Sequence, residues 1–542
     1  MPQLLFLTLA AAFAASCVLV PIVRAIAIRV GLVDKPDAER KLHERPIALA
    51  GGVAVFAAML LAFGGVYVLG GSNQPIDWSS KLTGRWAGLF LAAGAMLIVG
   101  LVDDAWTLRG RQKLLLQSLI AMSLVGSGTL IEQVSLFGWE LPLGAFAIPI
   151  SVLWLLVATN ALNLLDGADG MATTVGCFVC GGFAILAYVQ GGSMLGVAIA
   201  LALCGSLAGF LVYNRPPASI FLGDAGSMMV GLMVGVLAMW CSVKGSTVIA
   251  AVPIAILVLP LFDSSAAIIR RWMTGRSMYT TDRGHLHHLL HEKFGPAGML
   301  LVVAILCTLS IAVAVTAILL DFEGLAPIGG LAVLIALIGT RSFGHSECRM
   351  LLGRTVHLVQ SFFVRAQRCE STVQQRRIQF QGSGGWDVVW EPLVEFAKKF
   401  ELAKVKIDVN MAWLHEGYHA TWQSVRLPEK AFQSVVRIPL YAHRDGELKP
   451  VPIGRVEIIA ANQGHSHEQL AEFLVHASEL QTQVEQLVDQ LDQQQRTKWA
   501  AKRLAKASQP VETFVQPAAV SPDTTTSRQP AAVGATREPL AK

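Results

Sequence analysis

Charge is scarce in this sequence. Only 15% of its 542 residues are Asp, Glu, Lys or Arg, against about a quarter in an ordinary soluble domain, which excludes an average water-soluble globule. Nor is there enough positive charge for nucleic acid: the formal net charge is +5, and the basic residues sit in short loops beside apolar runs rather than in one stripe. Cysteine is sparse too, eight in all. Cys17, Cys204, Cys241 and Cys307 lie inside apolar runs, so they read as small buried hydrophobes and exclude a disulfide framework. Cys177 and Cys180 form a CxxC pair with no second pair to accompany it, which points to packing and not to redox or metal chemistry. No Lys or Arg precedes the first apolar run, which argues against a cleaved signal. Arg24 and Arg29 follow it, as expected for an uncleaved first helix with its N-terminus outside.

Apolar sequence is abundant. Runs of about 20 residues, the length that crosses a bilayer, fill the first 341 residues and then cease. They fall near 3–28, 49–70, 86–102, 114–131, 143–162, 172–190, 193–213, 225–243, 247–269, 298–320 and 325–341, about eleven crossings. With the N-terminus outside, the loops at 31–48, 103–113, 163–171, 214–224 and 270–297 share the cytoplasmic side with the tail. Those loops carry Lys35, Arg40, Lys41, Arg45, Arg109, Arg111, Lys113, Arg215, Arg270, Arg271, Arg276, Arg283 and Lys293, whereas the opposite ones hold Lys81, Arg85 and Lys244. This asymmetry obeys the positive-inside rule.

Nearly all acidic and histidine residues of this half lie on the same side, at span ends. A transporter would carry ionisable groups near the bilayer midplane; an enzyme that joins a soluble to a lipid substrate would carry them at the border. Five segments do so. LVDDAWTLRGRQK ends an apolar run with Asp103 and Asp104. NALNLLDGADGM places Asn160, Asn163, Asp166 and Asp169 three residues apart, with Gly167 and Gly170 letting the backbone leave a helix; a helix cap needs one such residue, not four. FLGDAGS puts Asp224 at the start of the next apolar run, where the helix dipole favours a carboxylate. TTDRGHLHHLL gathers Arg283, His285, His287 and His288, with His291 one turn on, and DKPDAERKLHERP holds Lys41, His43 and Arg45. Oxygen ligands on several loops suit magnesium, which holds substrate phosphates through one or two carboxylates. Zinc fits this set less well.

This ordered series resembles the polyprenyl-phosphate N-acetylhexosamine-1-phosphate transferase family, of glycosyltransferase family 4 type, across residues 1–341. DRGHLHH and the DKPDAERKLH opening are most similar to the undecaprenyl-phosphate N-acetylglucosaminyl-1-phosphate branch; the run of three consecutive histidines usual in the peptidoglycan branch is absent. One departure is that Ala48, Leu49 and Ala50 precede Gly51 and Gly52 where the branch commonly has Pro-Arg-Leu, so donor identity is the least transferable feature. The resemblance implies an all-α polytopic membrane enzyme of the bacterial cytoplasmic (inner) membrane. It would move a sugar 1-phosphate, GlcNAc-1-phosphate foremost, from a UDP-sugar to undecaprenyl phosphate with Mg2+, or Mn2+ in its place, and so start a cell-envelope polysaccharide. Asn163 and Asp224 would ligate the metal. Asp166 and Asp169 would shape the nucleotide and metal pocket, and Asp103 and Asp104 would face the lipid phosphate. Lys41, His43, Asn160, Arg283, His285 and His288 would bind substrate, with His287 among the catalytic groups. The alternatives are a transporter or flippase of lipid-linked sugar, the phospho-MurNAc-pentapeptide transferase activity, and an inactive scaffold.

Beyond the membrane half, residues 342–384 read as a basic connector lying on anionic headgroups or in solvent. Residues 385–462 read as a small α/β domain, with a helix over WDVVWEPLVEFAKKF, a strand over KVKIDVN and two more strands around Asp445-Gly446. A heptad-like seam of Phe473, Ala477, Leu480, Val484, Leu487 and Leu491 within 466–505 suits a coiled-coil homodimer or packing on its own domain. The Pro-, Ala-, Ser- and Thr-rich 506–542 reads as disordered.

Overall fold

The computed structural model describes residues 2–34, 46–70, 82–136, 139–240, 248–249, 251–274, 284–322, 324–363, 374–381, 386–411, 416–424, 433–442 and 451–461, with isolated positions between 475 and 497. Lys41, His43, Arg45 and Arg283 lie outside the described residues, as do most of the heptad seam and the 506–542 tail.

In chain order the first elements are α1 (Pro2–Val30), β1 (Val33–Asp34), β2 (Ile47–Ala48), α2 (Gly51–Gly70), α3 (Leu82–Trp106) and α4 (Gly110–Gly126). A hairpin of β3 (Gln133–Leu136) and β4 (Trp139–Pro142) leads into α5 (Ala147–Leu165), α6 (Met171–Val189), α7 (Met194–Asn214) and α8 (Gly223–Trp240). Then come β5 (Val248–Ile249), α9 (Ala251–Ile256), α10 (Val258–Thr274), α11 (Leu286–Leu319), α12 (Leu325–Gly339) and α13 (His345–Phe363).

Seven described helices are long and apolar enough to cross a membrane: Gln3–Val30, Arg85–Trp106, Gly144–Leu165, Met171–Val189, Met194–Asn214, Gly223–Trp240 and Leu286–Leu319. Shorter apolar helices cover Gly51–Gly65 and Leu325–Gly339. The chain is a multi-pass membrane protein. A helix occupies every stretch where the hydropathy places a span, but the run at 247–269 is broken into β5, α9 and α10. α11 begins well before its apolar run. It starts at the histidine segment and kinks at Gly295 (φ 71°), just before Pro296, because proline removes a helical N–H and crowds the preceding turn.

α8 is the buried centre of the bundle, packed against α2, α3, α5 and α6. Small residues bring its neighbours close: a Cβ on Gly226 would lie 2.8 Å from the α-carbon of Gly52, so α2 and α8 meet backbone to backbone. Close approach of this kind is how apolar helices associate where lipid competes for hydrophobic contact. The glycine pair 51–52 also ties α2 to the FLGDAGS segment, with Gly51 N–H donating to the Phe221 carbonyl and Gly52 N–H to that of Leu222, each at 3.0 Å.

After α13 come β6 (Gln374–Gln381), α14 (Asp387–Lys399), β7 (Lys404–Met411), β8 (Glu416–Gln423), β9 (Gln433–Ala442) and β10 (Val451–Ala461). The strands form one antiparallel sheet in the order β6-β8-β7-β10-β9. Alternation along β7 buries Val405, Ile407, Val409 and Met411, and α14 buries Val389, Trp390, Leu393, Val394 and Ala397. The sheet begins earlier than the sequence suggests, since β6 lies within the stretch that reads as connector. Its polar composition hides a strand that pairs with β8 as an edge. The described positions between 475 and 497 are helical.

Candidate active site

Four helices converge at one end of the bundle. Asp103 lies near the end of α3, and its two oxygens part ways: Oδ1 accepts the Leu108 N–H at 2.7 Å, and Oδ2 meets Lys113 Nζ at 2.8 Å. Lys113, in the first turn of α4, also reaches Asp224 Oδ2 at 3.0 Å and Asn163 Oδ1 at 3.3 Å. Asn163, near the C-terminus of α5, donates to Asp224 Oδ1 at 2.5 Å and Ser227 Oγ at 2.9 Å. Two carboxylates and an amide oxygen thus surround one ammonium.

Asp104, next in the chain, has a different task. Its oxygens accept the backbone N–H groups of Asp224 and Ala225 at 3.0 and 3.1 Å, so it caps α8 from a neighbouring helix and stabilises the positive end of that dipole. Gly223, at φ 74°, makes the turn, and a Cβ there would press on Asp104 Oδ2 at 2.7 Å. The adjacent carboxylates given one role by the sequence are therefore divided, Asp103 to the cationic centre and Asp104 to the helix start.

The NALNLLDGADGM residues divide likewise. Asn160 and Gln117 of α4 exchange amide hydrogen bonds, with Asn160 Nδ2 donating at 2.8 Å, so its side chain is committed inside the bundle. Asp166 caps the end of α5 and takes a backbone hydrogen bond from Gly223. Burial, followed by the charges of Asp224 and Asp104, pushes its carboxyl well above the usual range. Asp169 Oδ2 accepts the Ala218 N–H at 2.9 Å, holding the glycine-rich turn to the segment after α7.

His285 is the N-cap of α11; its Nδ1 lies 2.9 Å from Asp263 Oδ2, while Asp263 Oδ1 accepts the Leu286 N–H at 2.7 Å. His287, 2% exposed, has no hydrogen-bond partner for either ring nitrogen among the described residues. A Cβ on Gly167 would lie 2.5 Å from His287 Nε2, so this ring leans on the DGADG turn and joins the fourth segment to the second. Its ring is parallel to that of His285 at 5.7 Å and tilted to that of His288 at 4.2 Å. A buried imidazole with both nitrogens unsatisfied is costly unless a ligand completes it.

Lys41 and His43 belong to the loop whose described ends pair as β1 and β2. Ala48, at the end of β2, accepts the Phe221 N–H at 2.9 Å, which anchors that loop's base beside FLGDAGS. The sequence reading passed over Lys113, counting it with the positive flank, and over Asp263 and Gln117. Asp263 left a signal, as the lone acid of VLPLFDSSAAII; an ionisable residue inside an apolar run is functional by default.

The donor set bears on magnesium. Among the described residues no three carboxylate, imidazole or thiol groups are placed to cage a metal. The converging oxygens of Asp103, Asp224 and Asn163 are hard ligands already gathered around a cation, the Lys113 ammonium. Such a set fits magnesium, which takes few protein ligands and completes its octahedron with phosphates and water. These thiols behave as packing groups: Cys177 and Cys204 are free cysteines that share a thiol hydrogen bond at 3.8 Å, and Cys180 and Cys307 are buried.

The sequence profile of the family described as Glycosyl transferase family 4 matches residues 86–242. A Bacillus subtilis (strain 168) protein named "Probable undecaprenyl-phosphate N-acetylglucosaminyl 1-phosphate transferase" is 34% identical over 276 residues, 50% of this chain and 73% of the relative. An undecaprenyl-phosphate alpha-N-acetylglucosaminyl 1-phosphate transferase of Yersinia pestis is 30% identical over 282 residues, 50% of this chain and 72% of that one. A decaprenyl-phosphate N-acetylglucosaminephosphotransferase of Mycolicibacterium smegmatis is 30% identical over 355 residues, covering 59% of this chain and 83% of that one.

Proposed function

The chain belongs to glycosyl transferase family 4, and from that premise we propose that it transfers N-acetylglucosamine 1-phosphate from a UDP-sugar to undecaprenyl phosphate, releasing UMP and leaving a lipid-linked pyrophosphoryl sugar. The observation that carries this reading is the meeting of Asp103, Asn163 and Asp224 around Lys113, beside Asp166 and a His287 whose ring nitrogens find no partner among the described residues, at one end of an apolar bundle. A lipid acceptor reaches such a place through the bilayer, and a nucleotide donor reaches it from water. The bundle crosses the membrane eleven times, with the N-terminus outside and the site and tail on the cytoplasmic side of a bacterial inner membrane. The loop asymmetry in Lys and Arg supports this orientation.

Both substrates are anionic, and the first task of the residues is to hold them together. The Lys113 ammonium and the single N–H of a neutral His287 ring offer donors to phosphate oxygens. Asp104 and Asn163 fix the start of α8, so Asp224 is presented at a set position. A lipid phosphate oxygen then attacks the sugar-bearing phosphorus in line, and UMP leaves from the opposite side. A phosphate monoester with a second pKa near 6 is already mostly dianionic at neutral pH. Asp103, with both oxygens engaged, therefore orients Lys113 rather than serving as an obligatory base. Asp224 and Asn163, with Asp103 beside them, would hold magnesium, or manganese in its place, and the ion would supply Lewis acidity at the donor pyrophosphate.

The experiment is a transfer assay on purified membranes with several radiolabelled UDP-sugars, undecaprenyl phosphate and magnesium, followed by lipid extraction. Label in the lipid phase from UDP-N-acetylglucosamine, lost on adding EDTA, is the expected result. UMP release without labelled lipid would overturn the assignment, and label from another donor alone would change the sugar.

A further inference from the structure

Asp263 and Arg270 stand seven residues apart on α10, two turns along one face. Asp263 holds the first turn of α11 through His285 and Leu286. Arg270 lays its guanidinium against the α-carbon of Gly284, where any Cβ would overlap it. One helix thus grips both ends of the three-residue entry to the histidine segment.

Arg270 is itself held from a region outside the family motifs. One of its partners is Glu347, in the first turn of α13, and the two side chains form an ion pair only 4% and 5% exposed. The other carboxylate oxygen of Glu347 accepts Ser346 Oγ at 2.8 Å. Seven residues on, Arg354 donates to the Met273 carbonyl at 3.2 Å and lies over the Trp272 ring at 5.5 Å. Before α13, Phe343 meets Phe262 edge-on with ring centres 5.2 Å apart. Contacts at 343, 347 and 354 therefore fasten the helix after the last apolar span along α10.

Packing alone does not call for charge at such a junction, because burying an ion pair usually stabilises no better than an apolar pair of the same shape. A guanidinium pinned by a carboxylate does offer a fixed planar surface for the Gly284 backbone to rest on. We infer that Glu347 is a positioning residue: through Arg270 it fixes Gly284, and with it the placement of His285 and His287, which makes α13 part of the apparatus of transfer. The effect on turnover rests on the transferase reading above; the mechanical link does not.

The test uses the full-length protein in lipid nanodiscs, with Glu347→Gln and Glu347→Asp. Hydrogen exchange is measured without substrate over residues 286–290, and over 160–165 and 223–228 as internal controls. In Glu347→Gln, amides 286–290 exchange about tenfold faster or more while the controls hold, since loosening is local. Turnover falls by about tenfold or more, chiefly in kcat, and Glu347→Asp retains more of it. Unchanged exchange over 286–290, or equal acceleration in all three segments, would overturn the inference. If the Gln variant does not fold, the Asp variant decides by the same exchange comparison. Wild-type protein that transfers no sugar would sink the transferase reading and leave the exchange result standing.

Discussion

The helical bundle and the C-terminal sheet handle charge in opposite ways. In the sheet, polar groups of opposite sign face each other across neighbouring strands: Arg437 meets Glu457 at 3.1 Å across β9 and β10, and His419 meets Asp408 at 3.3 Å across β8 and β7. The residues beneath α14 are apolar. At the end of the bundle, Asp103, Asp104, Asp166 and Asp224 crowd together, and Lys113 is the cation placed among them. Opposite charges facing each other satisfy themselves, whereas crowded carboxyls either gather cations or, as at Asp166, are pushed toward the neutral form. Among the described residues, the bundle end is where acidic groups from separate helices meet a single lysine.

Substitutions should separate the regions sharply. Asp224→Asn removes a charge from the cationic centre and should lower transfer by about 10³-fold, the upper part of the range for losing one preorganised electrostatic group; a steady-state assay with saturating donor checks it, and a loss under tenfold would dissolve the contrast. Asp103→Asn should cost about 10²-fold, equally across pH 6 to 9, if the residue orients Lys113. Recovery of activity at high pH would instead make Asp103 a base. Asp263→Ala frees His285 and the Leu286 N–H and should cost about tenfold in kcat with little change in donor KM. In the sheet, Trp390→Ala empties a fully buried site and should destabilise that region by about 3–5 kcal/mol, read by urea titration of tryptophan fluorescence, while transfer stays within about twofold. Arg437→Ala should change stability by no more than about 1 kcal/mol, since the arginine is largely exposed and its pair is screened by water.

Legibility also differed between the regions. Apolar runs of membrane length announced the bundle helices, because lipid demands the same chemistry all along a span. Where β5, α9 and α10 replace one run, the hydropathy stays unbroken, and the signal was Pro253 and Pro260, which interrupt a helix without making it less apolar. In the sheet, the alternation of KVKIDVN marked β7, but β6, with its Gln and Arg residues, carried too little pattern. The site residues Asp103, Asn163, Asp166 and Asp224 stood out because polar groups interrupting an apolar chain are rare. Lys113 did not, because a lysine beside a span has an ordinary explanation in topology.

By itself the sequence determined that this chain lives in a membrane, that its polar groups collect at span ends, and that their order resembles one family of sugar-phosphate transferases. The first two follow from local composition and spacing, and the third is a likeness of motifs. Only the tertiary structure decided that Asp104 caps a helix while its neighbour Asp103 faces Lys113, that Asn160 is spent on Gln117, and that Glu347 reaches the histidine segment through Arg270. Those partners lie between 10 and 120 positions apart in the chain, and hydrogen bonds and ion pairs act over a few ångströms of space, a distance that a linear pattern does not record.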